Sequence, residues 1–445
     1  MLQEKLIEKI SQDDEEYAMA QLDTLTKNKT GFTSETDEKI LKFESTYGAH
    51  HYGRVNLVVR RARAQWLYNM ENHRYLDCLS AYSAVNQGHH HPEIVRALIA
   101  ALEDNYASVI SNVVYTDSLG IFLKTLANLV PQLGPRFGQN GNTVLPKNGG
   151  VESVVTAVKA ARCYGWKERG ITDGKQELIC FENNFHGRDM AAISMSTNKK
   201  YKEGFGPLTP GFVTAPFGDL DAVEKAVTKN TCGILVEPCQ GEGGMYIPPA
   251  GFLKGLRDIC DKHNLFLLFD EIQVGLGRTG KMFAFEHEGV VPDGIILGKA
   301  LSGGLVPLSA FVTNKKVMDL VFQPGRDGST FGGYPMACVA GTTALGVIVD
   351  EHLPQNAMKM GQILKRKIED VASRSKHVKE VRGRGLFIGI EVKNGDAMAF
   401  CRKLLDLGML CNDSHGHTIR ISPPLIIDET DIDYIVERLE KVLVD

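Results

Sequence analysis

The sequence predicts an α/β protein built around a mostly parallel sheet. Between residues 86 and 333, short apolar runs (Leu178 to Phe181, Gly233 to Val236, Leu265 to Phe269, Gly294 to Leu297) alternate with stretches of helical period. The runs are apolar throughout rather than alternating, as expected of strands buried on both faces. Two of them end on ionisable residues beside glycine-rich turns, the place where open α/β sheets bind ligands.

Taken in order, residues 1–35 read as a polar N-terminal extension. Residues 36–85 form the N-terminal part of a smaller domain, in which the run from Ala64 to Asp77 predicts a hairpin turning at Glu71 to His73. Residues 86–333 make up the large α/β domain. Residues 334–445 change texture: one long helical stretch from Tyr334 to about Ser373 leads into Leu386-Phe-Ile-Gly-Ile-Glu-Val392 and a last helix. The two chain ends are expected to build the smaller α+β domain jointly. No repeat or low-complexity tract is present.

Fifty basic residues against 54 acidic ones, a net charge of −4, point away from nucleic acid and membrane surfaces as partners. Nine scattered cysteines without a C-x-x-C pair suggest a reducing compartment, with Cys239 the one to watch. No apolar run approaches a membrane span. Lysine alternates with acid from Met1 to Glu16, unlike a transit peptide, so a cytoplasmic location is expected.

Lys299 carries most of the chemistry. It follows the apolar run Gly294 to Leu297 and opens the turn Lys299-Ala-Leu-Ser-Gly-Gly304; Asp270, 29 positions upstream, ends another such run. A lysine amine can form a Schiff base with an aldehyde cofactor, and pyridoxal 5'-phosphate needs such a lysine together with an acid facing its ring nitrogen. Asn148-Gly149-Gly150-Val151 precedes a helical pattern (Val151, Val154, Val155, Val158), so free N–H groups at a helix start could receive a phosphate. Most Gly-Gly pairs are only turns, and this one gains weight from Lys299 and Asp270. Gly275-Leu-Gly-Arg-Thr-Gly280 fits a dinucleotide-binding pattern, but Lys281-Met-Phe-Ala-Phe-Glu-His is a poor helix to follow it, so that reading ranks below pyridoxal phosphate. His89-His-His91 reads as a polar loop and no metal site is expected, because adjacent side chains diverge.

Several separated motifs occur in one order: Val236-Glu-Pro-Cys-Gln-Gly-Glu-Gly-Gly244, Asp270-Glu-Ile-Gln273, Leu297-Gly-Lys-Ala-Leu-Ser-Gly-Gly304 and Gly328-Ser-Thr-Phe-Gly-Gly333. Across roughly residues 40 to 445 they resemble the class III aminotransferases of fold type I. The segments Phe43 to Tyr52 and Leu79 to His89, with Arg420 in Thr418-Ile-Arg-Ile-Ser-Pro-Pro424, are similar to the branch that acts on the δ-amine of ornithine.

The resemblance implies a homodimer with shared active sites, using pyridoxal 5'-phosphate to move the δ-amino group of ornithine to 2-oxoglutarate. It implies Lys299 as the covalent attachment point and proton carrier, and Asp270 as the partner of the ring nitrogen. Phe185 would stack on the ring, Gln273 would bond its phenolic oxygen, and Gly150 and Val151 would bind the phosphate, with Ser329 and Thr330 arriving from the second subunit. Tyr52 and Arg188 would hold the ornithine α-carboxylate. Glu242 would mask Arg420 until 2-oxoglutarate binds, and Tyr82 would line the entrance. The chain departs from the family pattern at Gly149, Val155 and Tyr334, and at Gly53-Arg54 beside Tyr52. Three readings therefore stand at this point: the ornithine activity, another class III activity such as a different ω-transaminase or a racemase or epimerase, and a nucleotide-binding oxidoreductase using the 275–280 glycines.

Overall fold

The computed structural model describes residues 36–106 and 108–444, so the expected extension of residues 1–35 lies outside the described residues. The chain divides into two compact units, one reaching to Arg61 and including Tyr68–His73, the other comprising Ala62–Leu67 and everything from Arg74 onward. In the first, the helix Asp37–Tyr47 buries no residue, and Arg54 pairs with Glu44. Its turn at residues 69–73 is closed by Asn69, whose side-chain oxygen accepts from the N–H groups of Glu71 at 3.0 Å and His73 at 2.8 Å. A short polar side chain that satisfies two turn amides is what fixes the bend there.

The second unit is organised by a seven-stranded sheet: β1 (Asn142–Lys147), β2 (Glu177–Phe181), β3 (Phe212–Ala215), β4 (Thr231–Val236), β5 (Phe266–Asp270), β6 (Gly294–Leu297) and β7 (Ser309–Asn314). The spatial order is β1-β7-β6-β5-β4-β2-β3. Strands β2 to β6 run parallel, and β7 is antiparallel to both β6 and β1. The sheet is thus mostly parallel, as the alternating runs predict.

Both faces are covered. Ile179, Ile234, Leu267, Phe269, Ile295 and Leu297 enter one apolar cluster, whereas their neighbours Leu178, Leu235, Phe266, Leu268 and Ile296 enter another beneath the helix Gly150–Arg169. The two-residue period of a strand makes this division, and burial on both sides accounts for the unbroken apolar runs.

Toward the C-terminus, β8 (Val378–Arg384), β9 (Phe387–Val392), β10 (Asn412–Ser414) and β11 (Thr418–Ile421) form an antiparallel sheet of order β8-β9-β11-β10. The strand Met409–Leu410 pairs in parallel with Arg74–Asp77, with Leu76 and Met409 fully buried. The single long helix expected from Tyr334 to Ser373 is instead two, Pro335–Asp350 and Leu353–Arg374, bent by 57°. Between them His352 is left-handed (φ 53°), and Pro354 occupies the first turn of the second helix. Proline clashes with the backbone of a preceding helical turn but fits a helix start, so it divides the stretch there. Among the described residues no single helix is long and apolar enough to cross a membrane.

Candidate active site

The chemistry gathers along one edge of the seven-stranded sheet, where the C-terminal ends of β1, β2, β4, β5 and β6 lie together. Because β7 runs the other way, its first residue, Ser309, stands at this edge opposite Lys147. Ser309 Oγ donates to the carbonyl of Gly149 at 2.8 Å and contacts Ser153 Oγ at 2.7 Å, pinning the glycine turn to the sheet. The helix Gly150–Arg169 starts there, and Glu152 accepts from the Gly149 N–H at 2.8 Å. The first N–H groups of that helix, including those of Gly150 and Val151, have no carbonyl one turn back and suit an anion.

Beside this turn lies a cavity of about 190 Å³ lined by Gly150, Val151, Phe185, Asp270, Gln273 and Lys299, with His186, Glu237 and Cys239 among its other walls. Six of the sequence-predicted residues therefore meet in one place. Lys299 follows β6 in the left-handed region (φ 47°), a conformation uncommon outside glycine that clusters at functional sites. Burial holds its amine below the usual lysine range, and the charges of Asp270 and Glu237 oppose that shift. Asp270 ends β5. Its Oδ2 is 2.8 Å from His186 Nδ1, and its Oδ1 accepts from the Ile272 N–H at 3.1 Å, so the carboxylate has a fixed orientation.

His186 is buried. Burial disfavours its charged form, but the Asp270 hydrogen bond and charge prevail and raise its pKa. Glu237, at the end of β4, is also buried and its carboxyl is pushed up to about 7; Oε2 accepts from the Phe185 N–H at 3.0 Å. That bond fixes the backbone carrying Phe185. Gly187, two residues on, has φ 125°, and a Cβ there would come within 2.4 Å of Val151. Gln273 packs so closely on Gly241 that a Cβ at 241 would fall 1.9 Å from its Oε1. Cys239 is buried, and its thiol is pushed up to about 12, so it is inert rather than reactive.

Arg420 on β11 is 3% exposed, and its charge reaches Lys299, helping to lower that amine's pKa. Its Nη2 is 2.5 Å from Glu242 Oε2, its Nε donates to the Asp413 carbonyl at 3.2 Å, and its Nη1 is buried without a partner among the described residues. Tyr82 lies with its ring 5.4 Å from the Arg420 guanidinium. It belongs to a run of four left-handed residues, Ser80 to Ser83, with φ between 45° and 72°. Each such residue costs roughly 1–2 kcal/mol, and the turn is held by Asp77, whose Oδ1 accepts from the N–H groups of Leu79 and Ser80, and by Ser80 Oγ donating to the Ser422 carbonyl at 2.7 Å.

Arg188 is exposed and has no ion-pair partner among the described residues; its guanidinium lies 3.8 Å over the ring of Tyr201. Tyr52 belongs to the first unit and is 63% exposed. Ser329 and Thr330 are not among the walls of the cavity. Their loop is held by Asp327 between Lys147 and Lys159, and Ser329 Oγ accepts from Asn148 Nδ2 at 3.0 Å.

The other motifs go elsewhere. Arg278, in the 275–280 glycine run, is fully buried and donates to the carbonyls of Leu386 and Pro423 and to Asn86 Oδ1, tying three segments together. Only a short 3-10 turn, Ala284–His287, follows it, not the α-helix a dinucleotide site needs. His89, His90 and His91 turn to three different partners, Asp77, the Ala62 carbonyl and Glu351. Among the described residues no group of three or more candidate ligands could hold a metal.

The sequence reading missed His186, Glu237 and Tyr201. Glu237 lies inside the Val236–Gly244 motif and His186 stands next to Phe185; Tyr201 carries no local signal.

A buried lysine of lowered pKa, an oriented carboxylate and a helix start with free N–H groups around one cavity fit pyridoxal 5'-phosphate: an aldehyde, a pyridine nitrogen and a phosphate. Comparison with known proteins agrees. Residues 47–443 match the family described as aminotransferase class III. The chain is 45% identical over 405 residues to ornithine aminotransferase 2 of Staphylococcus aureus, covering 91% of this chain and 98% of that one. A solved ornithine aminotransferase from Toxoplasma gondii, with pyridoxal phosphate at partial occupancy in its active site, superposes with a TM-score of 0.87 at 33% identity, covering 92% of this chain and 94% of its own. An acetylornithine aminotransferase from Elizabethkingia anophelis does so at 0.82 and 36% identity, covering 92% and 100%. This chain belongs to the class III aminotransferases, pyridoxal phosphate enzymes of fold type I.

Proposed function

We propose that the chain transfers the δ-amino group of ornithine to 2-oxoglutarate, giving glutamate and glutamate 5-semialdehyde, which cyclises to pyrroline-5-carboxylate. The observation that carries this reading is the contrast between two arginines: Arg420, whose charge reaches Lys299, is closed by Glu242, while Arg188, 5.3 Å from the ring of Phe185 in the cavity wall, has no ion-pair partner among the described residues. An amino acid that must present its terminal amine needs its carboxylate held far from the reacting end, with the nearer cation masked. Arg188 meets the first need and the Glu242–Arg420 pair the second.

When bound, pyridoxal phosphate supplies a protonated ring that stabilises negative charge on the substrate carbon. Lys299, whose amine burial holds below the usual lysine range, would hold the aldehyde of the group covalently and would carry the proton to and from the substrate carbon. Asp270, oriented by His186 and the Ile272 N–H, holds the proton on the ring nitrogen. Gly150 and Val151 would bind the phosphate through backbone N–H groups, Phe185 would offer a flat face to the ring, and Gln273 would donate to the phenolic oxygen. In the second half-reaction Glu242 releases Arg420, whose fork takes the carboxylate next to the keto group of 2-oxoglutarate.

The active form in this reading is a cytoplasmic homodimer in which Ser329 and Thr330 of one copy complete the phosphate site of the other. Val113, Val114, Tyr115 and Phe331 are more than half exposed in the single chain, a concentration of apolar surface that a second copy would cover. The deciding assay is product identification from ornithine and 2-oxoglutarate. Pyrroline-5-carboxylate is expected; faster turnover of N-acetylornithine, or inversion of the α-carbon without amine loss, would replace this reading.

A further inference from the structure

Arg188 is a long, exposed cation with no ion pair among the described residues, yet its guanidinium has a defined place. Its central carbon is 3.8 Å from the ring centre of Tyr201 and 5.3 Å from that of Phe185. Tyr201 in turn meets Phe185 edge to face, with ring centres 6.2 Å apart and planes at 83°. The three side chains form one contact cluster.

Tyr201 comes from a separate, independently anchored segment. It ends the single helical turn Lys199–Tyr201, which Asn198 caps by accepting from the Lys200 N–H at 3.0 Å, while the Asn198 carbonyl accepts from the Tyr201 N–H at 3.1 Å. The preceding residues are tied back to the Phe185 loop, since Thr197 Oγ1 accepts from the Asn183 N–H at 2.9 Å. Burial together with Glu242 holds the phenol above its ordinary pKa, so the ring faces the guanidinium in its neutral form.

A guanidinium lying against an aromatic ring keeps its edge, with the N–H fork, directed away from the contact. The ring thus removes rotational freedom from Arg188 without consuming a donor. A carboxylate partner would fix the same side chain only by occupying the fork that a substrate needs.

Resting on the reading that Arg188 receives the distant carboxylate, we propose that Tyr201 is a positioning residue for substrate selection: it acts as the shelf that presents Arg188 to the α-carboxylate of ornithine, and couples that fork to Phe185 on the cofactor side. Selectivity for an amine bearing a carboxylate at the far end then depends on a ring that need not touch the substrate.

The test compares the holoenzyme and its Tyr201→Leu, Tyr201→Gln and Tyr201→Phe variants on ornithine and on 1,4-diaminobutane, which has the same reacting amine without the carboxylate. The wild type should prefer ornithine in kcat/KM. Leu and Gln should lower that preference roughly two- to fivefold, the scale of one exposed cation–π contact, mainly through a higher KM for ornithine, and Phe should restore it. A merely structural role would depress both amines together; parallel losses, or an unchanged ratio in a Leu or Gln variant that retains its cofactor absorbance, would overturn the inference while the ornithine reading stands. A wild type with no preference for ornithine would overturn that reading and the inference with it.

Discussion

Glu242 and Arg420 are joined at 2.5 Å through a single guanidinium nitrogen, and the second terminal nitrogen, Nη1, is buried with no partner among the described residues. The two ends of the bond differ in freedom: the Arg420 side chain is 4% exposed and Glu242 is 25% exposed. Arg420 is also held by the Asp413 carbonyl, so Glu242 is the end able to move. A buried guanidinium with an unmet donor favours exchange for a carboxylate that satisfies both nitrogens. The pair therefore has the construction of a latch that a second substrate opens.

Removing the latch by Glu242→Ala should leave Arg420 permanently available to α-carboxylates. The share of α-keto product from ornithine should rise on the order of tenfold, the scale of about 1.4 kcal/mol of redirected binding, as semialdehyde falls. Chromatography of the half-reaction products measures it, and an unchanged ratio would reject the latch.

Lys299→Ala should lower turnover by roughly 10²- to 10⁴-fold or more through loss of the proton carrier alone. Borohydride reduction of the wild type followed by peptide mapping should place the pyridoxyl group on Lys299. Asp270→Asn should cost on the order of 10²-fold in turnover with the fold retained, because the ring nitrogen loses its anionic partner. Circular dichroism alongside the assay separates that result from unfolding, and near wild-type activity in the Asn variant would assign the ring partner elsewhere.

How much of this was legible beforehand follows from where each signal resides. Strands buried on both faces are continuous in sequence, so β2, β4, β5 and β6 stood out, whereas β1 with Pro146 and β7 with its polar Ser309 and Asn314 did not. Lys299 and Asp270 were readable because each ends an apolar strand. His186 was not, because its function exists only through an oxygen of Asp270 that is 84 positions away. Tyr201 was invisible for a similar reason, since an aromatic in a polar loop gains meaning only from the guanidinium it faces. The Pro354 break was present in the sequence as a helix-start signal, but the helical period on both sides masked it.

Thr330→Ala should weaken cofactor binding about tenfold, the scale of losing one hydrogen bond to a charged group, if the loop serves the phosphate of a second copy. The companion test is Phe331→Asp, which places a charge on the exposed apolar surface near that loop. It should yield monomers by light scattering and lower cofactor content together. A monomer that retains full cofactor and full activity would contradict the shared site.

Two buried carboxyls should govern how cofactor-free protein responds to pH. Glu271 accepts from the N–H groups of Ala284 and Phe285 at 2.9 and 3.0 Å, yet burial pushes its pKa to about 8; Glu237 is pushed to about 7. In the unfolded chain both ionise near the ordinary glutamate value, so between pH 6.5 and 8.5 the folded state binds more protons than the unfolded state. Stability from these groups is fully present below the unfolded pKa and is lost as pH rises through 7 and then 8, at a limit of about 1.4 kcal/mol per pH unit for each group. His186, also raised, adds in the same direction, whereas His287, lowered to about 4, is already neutral in both states through most of this window. Thermal unfolding should accordingly give a Tm that falls from pH 6.5 to 8.5. Lys299, lowered by burial, acts in the opposite direction, so the contrast with a variant isolates the carboxyl: Glu271→Gln, which keeps an acceptor for both amides but cannot ionise, should flatten the upper part of that decline, and an unchanged pH profile in the variant would show that Glu271 is not held protonated by the fold.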